Sequence, residues 1–292
     1  MSVERLNSQC VACLLNKHLK NIPNTFSPEK QLEYMQGILK IIGNADVNMS
    51  APEIVAEINK FKERFGEVTD FAKIKSFYND FLLNFEQEIE TKIECSENPL
   101  EAAVKYAMAG NYIDFGVMES VDEQMLKETI ENANKIAISK AEFKRFESEI
   151  NNAKSIVYLT DNCGEIVLDK LLIKQILRLN DNVNICVIVR GAPVLNDCTI
   201  EDARQVGLDK LVTVLNNGTA IAGTVLEKIS TETKSLIDNA NLVISKGQGN
   251  FETMHHSGKN IYYLFLCKCE MFAQRFGVEK FTGVFINDSN LF

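Results

Sequence analysis

The chain has 292 residues, of which 46% are hydrophobic, 24% charged and 8% aromatic, with 15 Gly and 5 Pro. This composition excludes a disordered, collagen-like or low-complexity protein. The 31 basic and 40 acidic residues give a net charge of −9, which argues against nucleic acid and anionic membranes as partners. Since no apolar run has membrane-spanning length and the start does not resemble a signal peptide, we expect a cytoplasmic protein.

Residues 1–150 are predicted to form a helical N-terminal domain. Three helix starts are explicit, because each has a capping residue and a proline in the first turn: Ser27-Pro28, Ser50-Ala51-Pro52 and Asn98-Pro99. The segments that follow place apolar residues three and four positions apart, which is the spacing of one helix face.

From Ser155 onward, short apolar runs alternate with helical patterns. The predicted strands are Ile156–Leu159, Ile185–Val189, Leu211–Leu215, Leu242–Ile244, Ile261–Leu266 and Gly283–Ile286, and the predicted connecting helices are Glu165–Leu179, Ile200–Val206 and Val225–Asn239. Continuous apolar strands separated by helices are typical of a parallel sheet covered on both faces. We therefore predict an α/β domain over residues 151–292, with a mostly parallel sheet in an α/β/α sandwich.

Polar residues cluster after four of these strands. The clusters begin at Asp161, Arg190, Asn216 and Lys246. Because the carboxyl ends of parallel strands lie along one edge of a sheet, we expect the four loops to converge on one pocket.

The residue types in these loops favour a phosphate site that contains a metal ion. Asp161, Asn162 and Asp197 offer oxygen ligands, which Mg²⁺ and Mn²⁺ prefer. Lys246 adds a positive charge, and the neighbouring Gly247 lets the backbone approach an anion closely. The alternative is ordinary turn and helix-cap chemistry in each loop.

Eight cysteines are present, and most are expected to be reduced, buried thiols. Two close pairs leave other roles open. Cys10 and Cys13 would share one face of a helix, where they could bind a soft metal or form a disulfide. Cys267 and Cys269 could complete a zinc site with them.

The loop motifs resemble those of the damage-control phosphatase family, the acidic-residue-methyltransferase-like metal-binding domain. The matching motifs are Asp161-Asn-x-Gly-Glu165, Arg190-Gly-x-Pro-x-Leu-Asn-Asp197, Lys246-Gly-x-Gly-Asn-Phe-Glu252 and, in the helical half, Asn98-Pro-Leu-Glu-Ala-Ala followed by Asn111-Tyr-Ile-Asp114. The resemblance spans about residues 5 to 285, and the N-terminal Cys-x-x-Cys is similar to that of a microbial branch.

The resemblance implies metal ligation by Asp161, Asn162 and Asp197, with Mg²⁺, Mn²⁺, Co²⁺ or Ni²⁺ as the ion. It also implies that Lys246 holds the phosphate group of a small phosphorylated metabolite, and that Asn111 and Asp114 reach in from the helical half. The candidate substrate-binding residues are Asn111, Asp114, Glu165, Arg190, Asn196, Thr219, Lys246, Asn250 and Glu252.

The leading functional hypothesis is therefore a divalent-metal-dependent phosphatase that acts on sugar phosphates or damaged cofactor-related phosphates. Asp161 and Lys246 are its candidate catalytic residues, with either water or a carboxylate as the nucleophile. A non-catalytic regulator that binds a metal or metabolite is the alternative. A methyltransferase fits less well, because Asp161-Asn162 and Arg190-Gly191 end the first two strands where an adenosine pocket needs glycines and an acidic residue. The sequence specifies neither the substrate, the native metal nor the oligomeric state.

Overall fold

A computed structural model of the protein describes residues 6–67, 70–113 and 122–291. The chain divides into two compact units, residues 1–70 and residues 71–292. The predicted boundary near residue 150 falls inside the second unit, where helices give way to the sheet.

The described residues of the first unit form three amphipathic helices: α1 (Ser8–Lys20), α2 (Pro28–Gly43) and α3 (Ala51–Glu63). Ser27 caps α2 by accepting a hydrogen bond from the Lys30 backbone at 3.3 Å, and Ser50 and Glu53 form a capping box on α3. The buried faces of the helices meet around Tyr34, Ile38 and Ile54. Both predicted helix starts in this unit are confirmed.

Outside residues 114–121, the second unit begins with five further α-helices: α4 (Ala72–Leu83), α5 (Glu86–Glu94), α6 (Pro99–Gly110), α7 (Glu123–Glu131) and α8 (Lys140–Asn152). The predicted start of α6 is confirmed, because Asn98 accepts a hydrogen bond from the Glu101 backbone at 3.0 Å. Among the described residues up to Asn152, every regular element is helical, as expected.

All six predicted strands are present: β1 (Ser155–Leu159), β2 (Asn184–Val189), β3 (Thr213–Asn216), β4 (Leu242–Lys246), β5 (Ile261–Leu266) and β6 (Gly283–Asn287). They form one sheet in the order β3-β2-β1-β4-β5-β6. Neighbouring strands are parallel except for β6, which runs antiparallel to β5. The predicted mostly parallel sheet is therefore confirmed.

The helices of this half are α9 (Glu165–Leu179), α10 (Ile200–Gln205), α11 (Thr231–Asn239), α12 (Gln248–Met254) and α13 (Glu270–Phe276). The prediction of a helix from Val225 was wrong for its first six residues. Ser230 has extended backbone and its hydroxyl accepts a hydrogen bond from the Thr233 backbone at 3.1 Å, so it caps a shorter helix.

Both faces of the sheet are covered. Along β1, Ile156 and Tyr158 belong to a core shared with α6, α8 and α9, whereas Val157 and Leu159 face a second core with α11, α12 and α13. This alternation produces the expected α/β/α layers. The described helices are all too short or too polar to cross a membrane.

Candidate active site

The sheet has a topological switch point between β1 and β4. From β1, the chain proceeds outward to β2 and β3 on one side, and β4 to β6 lie on the other. Crevices outside the carboxyl ends of strands at such a point are the usual ligand sites of open α/β sheets. The loops after β1, β2 and β4 meet here.

The three predicted metal ligands lie together in this crevice. Asn162 and Asp197 face each other in an isolated antiparallel β-bridge. The Cys198 backbone donates to the Asp161 carbonyl oxygen at 2.8 Å, and the Asn162 side-chain amide donates to Asp161 Oδ2 at 2.6 Å. All three ligand side chains are buried, which concentrates two carboxylates in a small space.

Gly247 makes room for the Asp161 carboxylate. Its backbone has φ +82° and ψ 156°, a region that essentially only glycine occupies. A Cβ atom at this position would lie 2.0 Å from Asp161 Oδ2. The glycine that follows β4 is therefore required by close approach as well as by backbone conformation.

Arg190 supplies the positive charge beside these carboxylates. Its Nε donates to Asp197 Oδ2 at 2.7 Å, and its Nη2 lies 3.7 Å from Asp161 Oδ1. The third nitrogen, Nη1, donates to Asn250 Oδ1 at 3.1 Å. Among the described residues, no acceptor makes a hydrogen bond with Arg190 Nη2, so one donor of this buried guanidinium is unused.

Asn111 connects the end of α6 to the crevice. Its amide nitrogen donates to Asp161 Oδ2 at 3.0 Å and to Glu165 Oε2 at 2.9 Å, while its oxygen accepts from the Leu266 backbone at 3.1 Å. The other candidate from the helical half, Asp114, lies outside the described residues.

Lys246 is fully buried, and its ammonium group has three protein acceptors. It donates to the Ala107 carbonyl at 2.8 Å, to Asp169 Oδ1 at 2.7 Å and, by a short contact, to Glu165 Oε1. Burial opposes its charge, but the two carboxylates outweigh burial and raise the pKa of Lys246. Its predicted contact with a phosphate stays a prediction, and its three N–H donors point to carboxylates and a carbonyl.

Asp169 completes this ion cluster with the Tyr158 hydroxyl, which donates to Asp169 Oδ1 at 2.8 Å. Burial raises the pKa of Asp169 to about 7; the Lys246 charge opposes the increase and the Glu165 charge adds to it. One lysine therefore faces two buried carboxylates, an arrangement that favours a proton on Asp169 near neutral pH.

Most of the remaining candidate residues form hydrogen bonds that connect one loop or segment to another. Asn196 donates to the Ile113 carbonyl at 3.3 Å, and Asn250 donates to the Thr160 carbonyl at 3.0 Å and the Lys246 carbonyl at 2.7 Å. The Thr219 carbonyl accepts from the Gly191 backbone at 2.8 Å, which fixes the loop after β3 against the Arg190 loop. Glu252 lies on α12 and accepts from Gln248 at 2.8 Å.

Sequence reasoning missed three residues around the site. Asp169 had a usable signal, because it lies four positions after Glu165 and so shares its helix face. Lys268 is buried just after β5, at the same sheet edge, where its backbone donates to Gln248 Oε1 at 3.3 Å. Asn79, in α4, belongs to no motif, and only the fold brings it to the loop after β1.

The donor set fits a hard divalent cation. In the part of the chain that the structure describes, no three His, Cys, Asp or Glu side chains form a ligand cluster. The oxygen atoms available to an ion in this crevice are those of the Asp161 and Asp197 carboxylates and the Asn162 side-chain amide. Few protein ligands of this kind, with water at the other positions, are what Mg²⁺ usually has.

No disulfide joins any of the eight cysteines, all of which lie within the described ranges. Cys163, Cys186 and Cys198 are buried, as expected, and burial raises the pKa of each thiol. They are therefore protonated, unreactive groups at neutral pH. The idea that Cys10 and Cys13 bind a metal or form a redox pair stays a prediction.

Comparison with known proteins places these features in a family. Residues 6–284 match the damage-control phosphatase ARMT1-like domain. A damage-control phosphatase from Pyrococcus horikoshii is 36% identical over 181 residues, an alignment that covers 62% of each chain. A damage-control phosphatase from Archaeoglobus fulgidus is 29% identical over 94% of this chain and 96% of its own length.

The fold is shared as well. The crystal structure of a DUF89 family protein from Pyrococcus horikoshii superposes with a TM-score of 0.78 at 28% sequence identity. The superposition covers 97% of this chain and 99% of that one.

Proposed function

This chain belongs to the damage-control phosphatase ARMT1-like family, and we propose that it is a divalent-metal-dependent phosphatase that hydrolyses small phosphorylated metabolites. The substrates we infer are sugar phosphates or damaged cofactor-related phosphates. The observation that carries the proposal is the crevice at the switch point, where Asp161, Asn162 and Asp197 meet beside Arg190.

The oxygen ligands and Arg190 have different electrostatic roles. A divalent ion held by Asp161, Asn162 and Asp197 would polarise a phosphoryl oxygen as a Lewis acid. Arg190 already balances the two carboxylates, and its unused Nη2 donor is suited to the charge that develops on a transferring phosphoryl group. Asn111 orients Asp161 through the hydrogen bond to Oδ2.

We infer that Lys246 acts mainly by positioning Glu165. Removing its ammonium from Glu165 and Asp169 to reach a substrate would leave the buried Glu165 carboxylate without its cation and Asp169 without a donor, which is costly. Glu165 in turn accepts hydrogen bonds from both Asn111 and Asn162. Arg190 is then the cation at this edge that we assign to the substrate phosphate.

The nucleophile is either a water molecule or the Asp161 carboxylate, and a trapping experiment separates them. A phosphorylated Asp161 would accumulate in single-turnover quench experiments if the carboxylate attacks. With an isotopically chiral phosphate ester, inversion of configuration at phosphorus would indicate one direct attack by water, whereas retention would indicate two displacements through phosphorylated Asp161.

The proposal is tested by phosphate release from an aryl phosphate and a panel of sugar phosphates. The protein is first treated with a chelator and then given Mg²⁺, Mn²⁺, Co²⁺ or Ni²⁺. We expect activity to return with metal, to be lost in Asp161→Asn, and to be unchanged in Asp181→Asn, which removes an exposed carboxylate in the loop before β2.

Three outcomes contradict the proposal. Activity that persists in the chelator contradicts the metal requirement, and equal activity in the two variants contradicts the site. Tight binding of a phosphorylated metabolite without turnover would favour the alternative of a non-catalytic regulator.

A further inference from the structure

We propose that Asn79 is a positioning residue that fastens together the two loops carrying the metal ligands. The inference rests on the proposed function, because it concerns the same oxygen ligands. Asn79 lies in α4, is fully buried, and is separated from these loops by 85 and 123 residues of sequence.

One end of the Asn79 amide holds the loop after β1. Its oxygen accepts a hydrogen bond from the Gly164 backbone N–H at 2.6 Å, between Asn162 and Glu165. Gly164 has φ +70°, and a Cβ there would lie 2.6 Å from Ile113 Cδ1 and 3.1 Å from the Tyr78 carbonyl oxygen. The turn is therefore packed against α4. Because water has little access there, the Gly164 N–H depends on Asn79 for its hydrogen-bond acceptor.

The other end of the amide holds the loop after β2. The Asn79 nitrogen donates to Asp202 Oδ1 at 3.1 Å. The other oxygen of Asp202 caps α10 through the Thr199 backbone and hydroxyl, both at 2.8 Å, and forms an ion pair with Lys75 at 2.6 Å. Thr199 follows Asp197 by two residues, so this contact holds the chain segment next to a proposed metal ligand.

The two loops also contact each other directly, through backbone hydrogen bonds and through the ion pair of Arg190 with Asp161. Cys163 N donates to the Asn196 carbonyl at 2.9 Å, and Cys198 N donates to the Asp161 carbonyl at 2.8 Å. The Asn79 side-chain amide forms hydrogen bonds with both loops, and we infer that these bonds set the distance between the loops. Partners that orient metal ligands typically change metal affinity about 10- to 100-fold when they are removed.

Asn79→Ala, Asn79→Asp and the control Gln205→Ala test the inference. Gln205 is exposed and also contacts Asn79, Ser76 and Asp80, so its removal disturbs the same helix pair without touching Gly164. Hydrogen exchange is measured on metal-free protein in peptides covering residues 161–166 and 197–203. Mn²⁺ affinity is measured by calorimetry below the unfolding temperature of each variant.

In Asn79→Ala we expect faster exchange in both loops and Mn²⁺ binding weakened about 10- to 100-fold, with Gln205→Ala close to wild type. Asn79→Asp keeps the acceptor for Gly164 but faces the Asp202 carboxylate, so we expect faster exchange mainly in residues 197–203. This variant decides the matter if Asn79→Ala does not fold.

Loop exchange like that of wild type, or Mn²⁺ affinity within twofold of wild type in a folded Asn79 variant, overturns the inference. An equal loss in Gln205→Ala does so too, because it would indicate a general effect of the helix pair. If the wild-type protein binds no Mn²⁺, that result contradicts the metal requirement of the proposed function. The exchange data still decide whether Asn79 holds the two loops.

Discussion

At the scale of single residues, the site depends on how closely a backbone approaches a carboxylate. Gly247→Ala would place a Cβ 2.0 Å from Asp161 Oδ2, so the carboxylate or the loop after β4 must move. We expect phosphatase activity to fall at least about 100-fold, because even about 1 Å of misplacement can cost that much. The measurement is metal-dependent phosphate release under saturating metal.

The control for this substitution is Gly258→Ala. Gly258 also has a positive φ, +74°, but an added Cβ would meet open space. Each variant carries a backbone strain of about 1–3 kcal/mol, and only Gly247→Ala disturbs Asp161. Comparable loss of activity in the two variants would show that strain, and not the approach to Asp161, matters.

Asp169 gives a pH dependence of stability whose sign follows from burial. Its pKa is raised to about 7 from an ordinary value of 3.8, so between these values the folded protein holds a proton that the unfolded chain releases. The free energy of unfolding should therefore fall as pH rises through this window, by up to about 1.4 kcal/mol per pH unit, and the contribution is lost above pH 7. We expect Asp169→Asn to show a flatter profile from pH 5 to 8.

Urea unfolding of chelator-treated protein, followed by circular dichroism, measures this effect. Asp181→Asn, which changes an exposed carboxylate, should keep the slope of wild type. Parallel profiles for wild type and Asp169→Asn would mean that Asp169 is ionised throughout, with Lys246 outweighing its burial.

The residue types of the site were readable from sequence, but their contacts were not. Asp161, Asn162 and Asp197 stand at strand ends, and strand polarity alone predicts that they meet. The family resemblance implied that Lys246 holds the phosphate. Its direction depends on Asp169 and on the Ala107 carbonyl, which reach it through packing of α6 and α9 against the sheet.

At the scale of elements, α6 shows two asparagines with different tasks at its two ends. Asn98 caps the start with one hydrogen bond to the Glu101 backbone. Asn111, past the other end, bonds to Asp161, Glu165 and the Leu266 backbone. We expect Asn98→Ala to lower stability by about 1 kcal/mol and to leave kcat near wild type.

The companion variant Asn111→Ala should lose metal-dependent activity at least about 10-fold, because Asp161 and Glu165 lose a shared donor. Steady-state kinetics and thermal unfolding of both variants provide the comparison. If Asn98→Ala reduced kcat as strongly as Asn111→Ala, the whole helix, and not its terminal amide, would set the geometry of the site.

Element prediction succeeded where a local signal was strong. Proline after a capping residue marked the starts of α2, α3 and α6, and continuous apolar runs marked six strands. The short helix α12 was missed because Gly247-Gln-Gly249-Asn looks like a loop. The helix begins directly after a turn at Gly247, which lies against Asp161. Such a turn depends on tertiary contacts, which leave no periodic pattern in the sequence.

At the scale of the whole molecule, every described candidate ligand of the metal and substrate lies in the unit of residues 71–292. The core of residues 1–70, around Tyr34, Ile38 and Ile54, contributes none of them. Metal binding should therefore stabilise the second unit. A ligand at 100 times its Kd stabilises the state that binds it by about 2.7 kcal/mol.

This stabilisation predicts a pattern of hydrogen exchange. With Mn²⁺ at 100 times its Kd, amides of β1 and β2 that exchange through unfolding of the second unit should slow by up to about 100-fold, because the metal-bound state must first release its ion. Amides of α2 and α3 should keep their rates. Asp197→Asn should abolish the slowing at the same metal concentration, because it weakens a carboxylate ligand without altering the core. Slowing that survives in Asp197→Asn would place the bound metal elsewhere in the molecule, and both the ligand assignment and the proposed mechanism would then have to change.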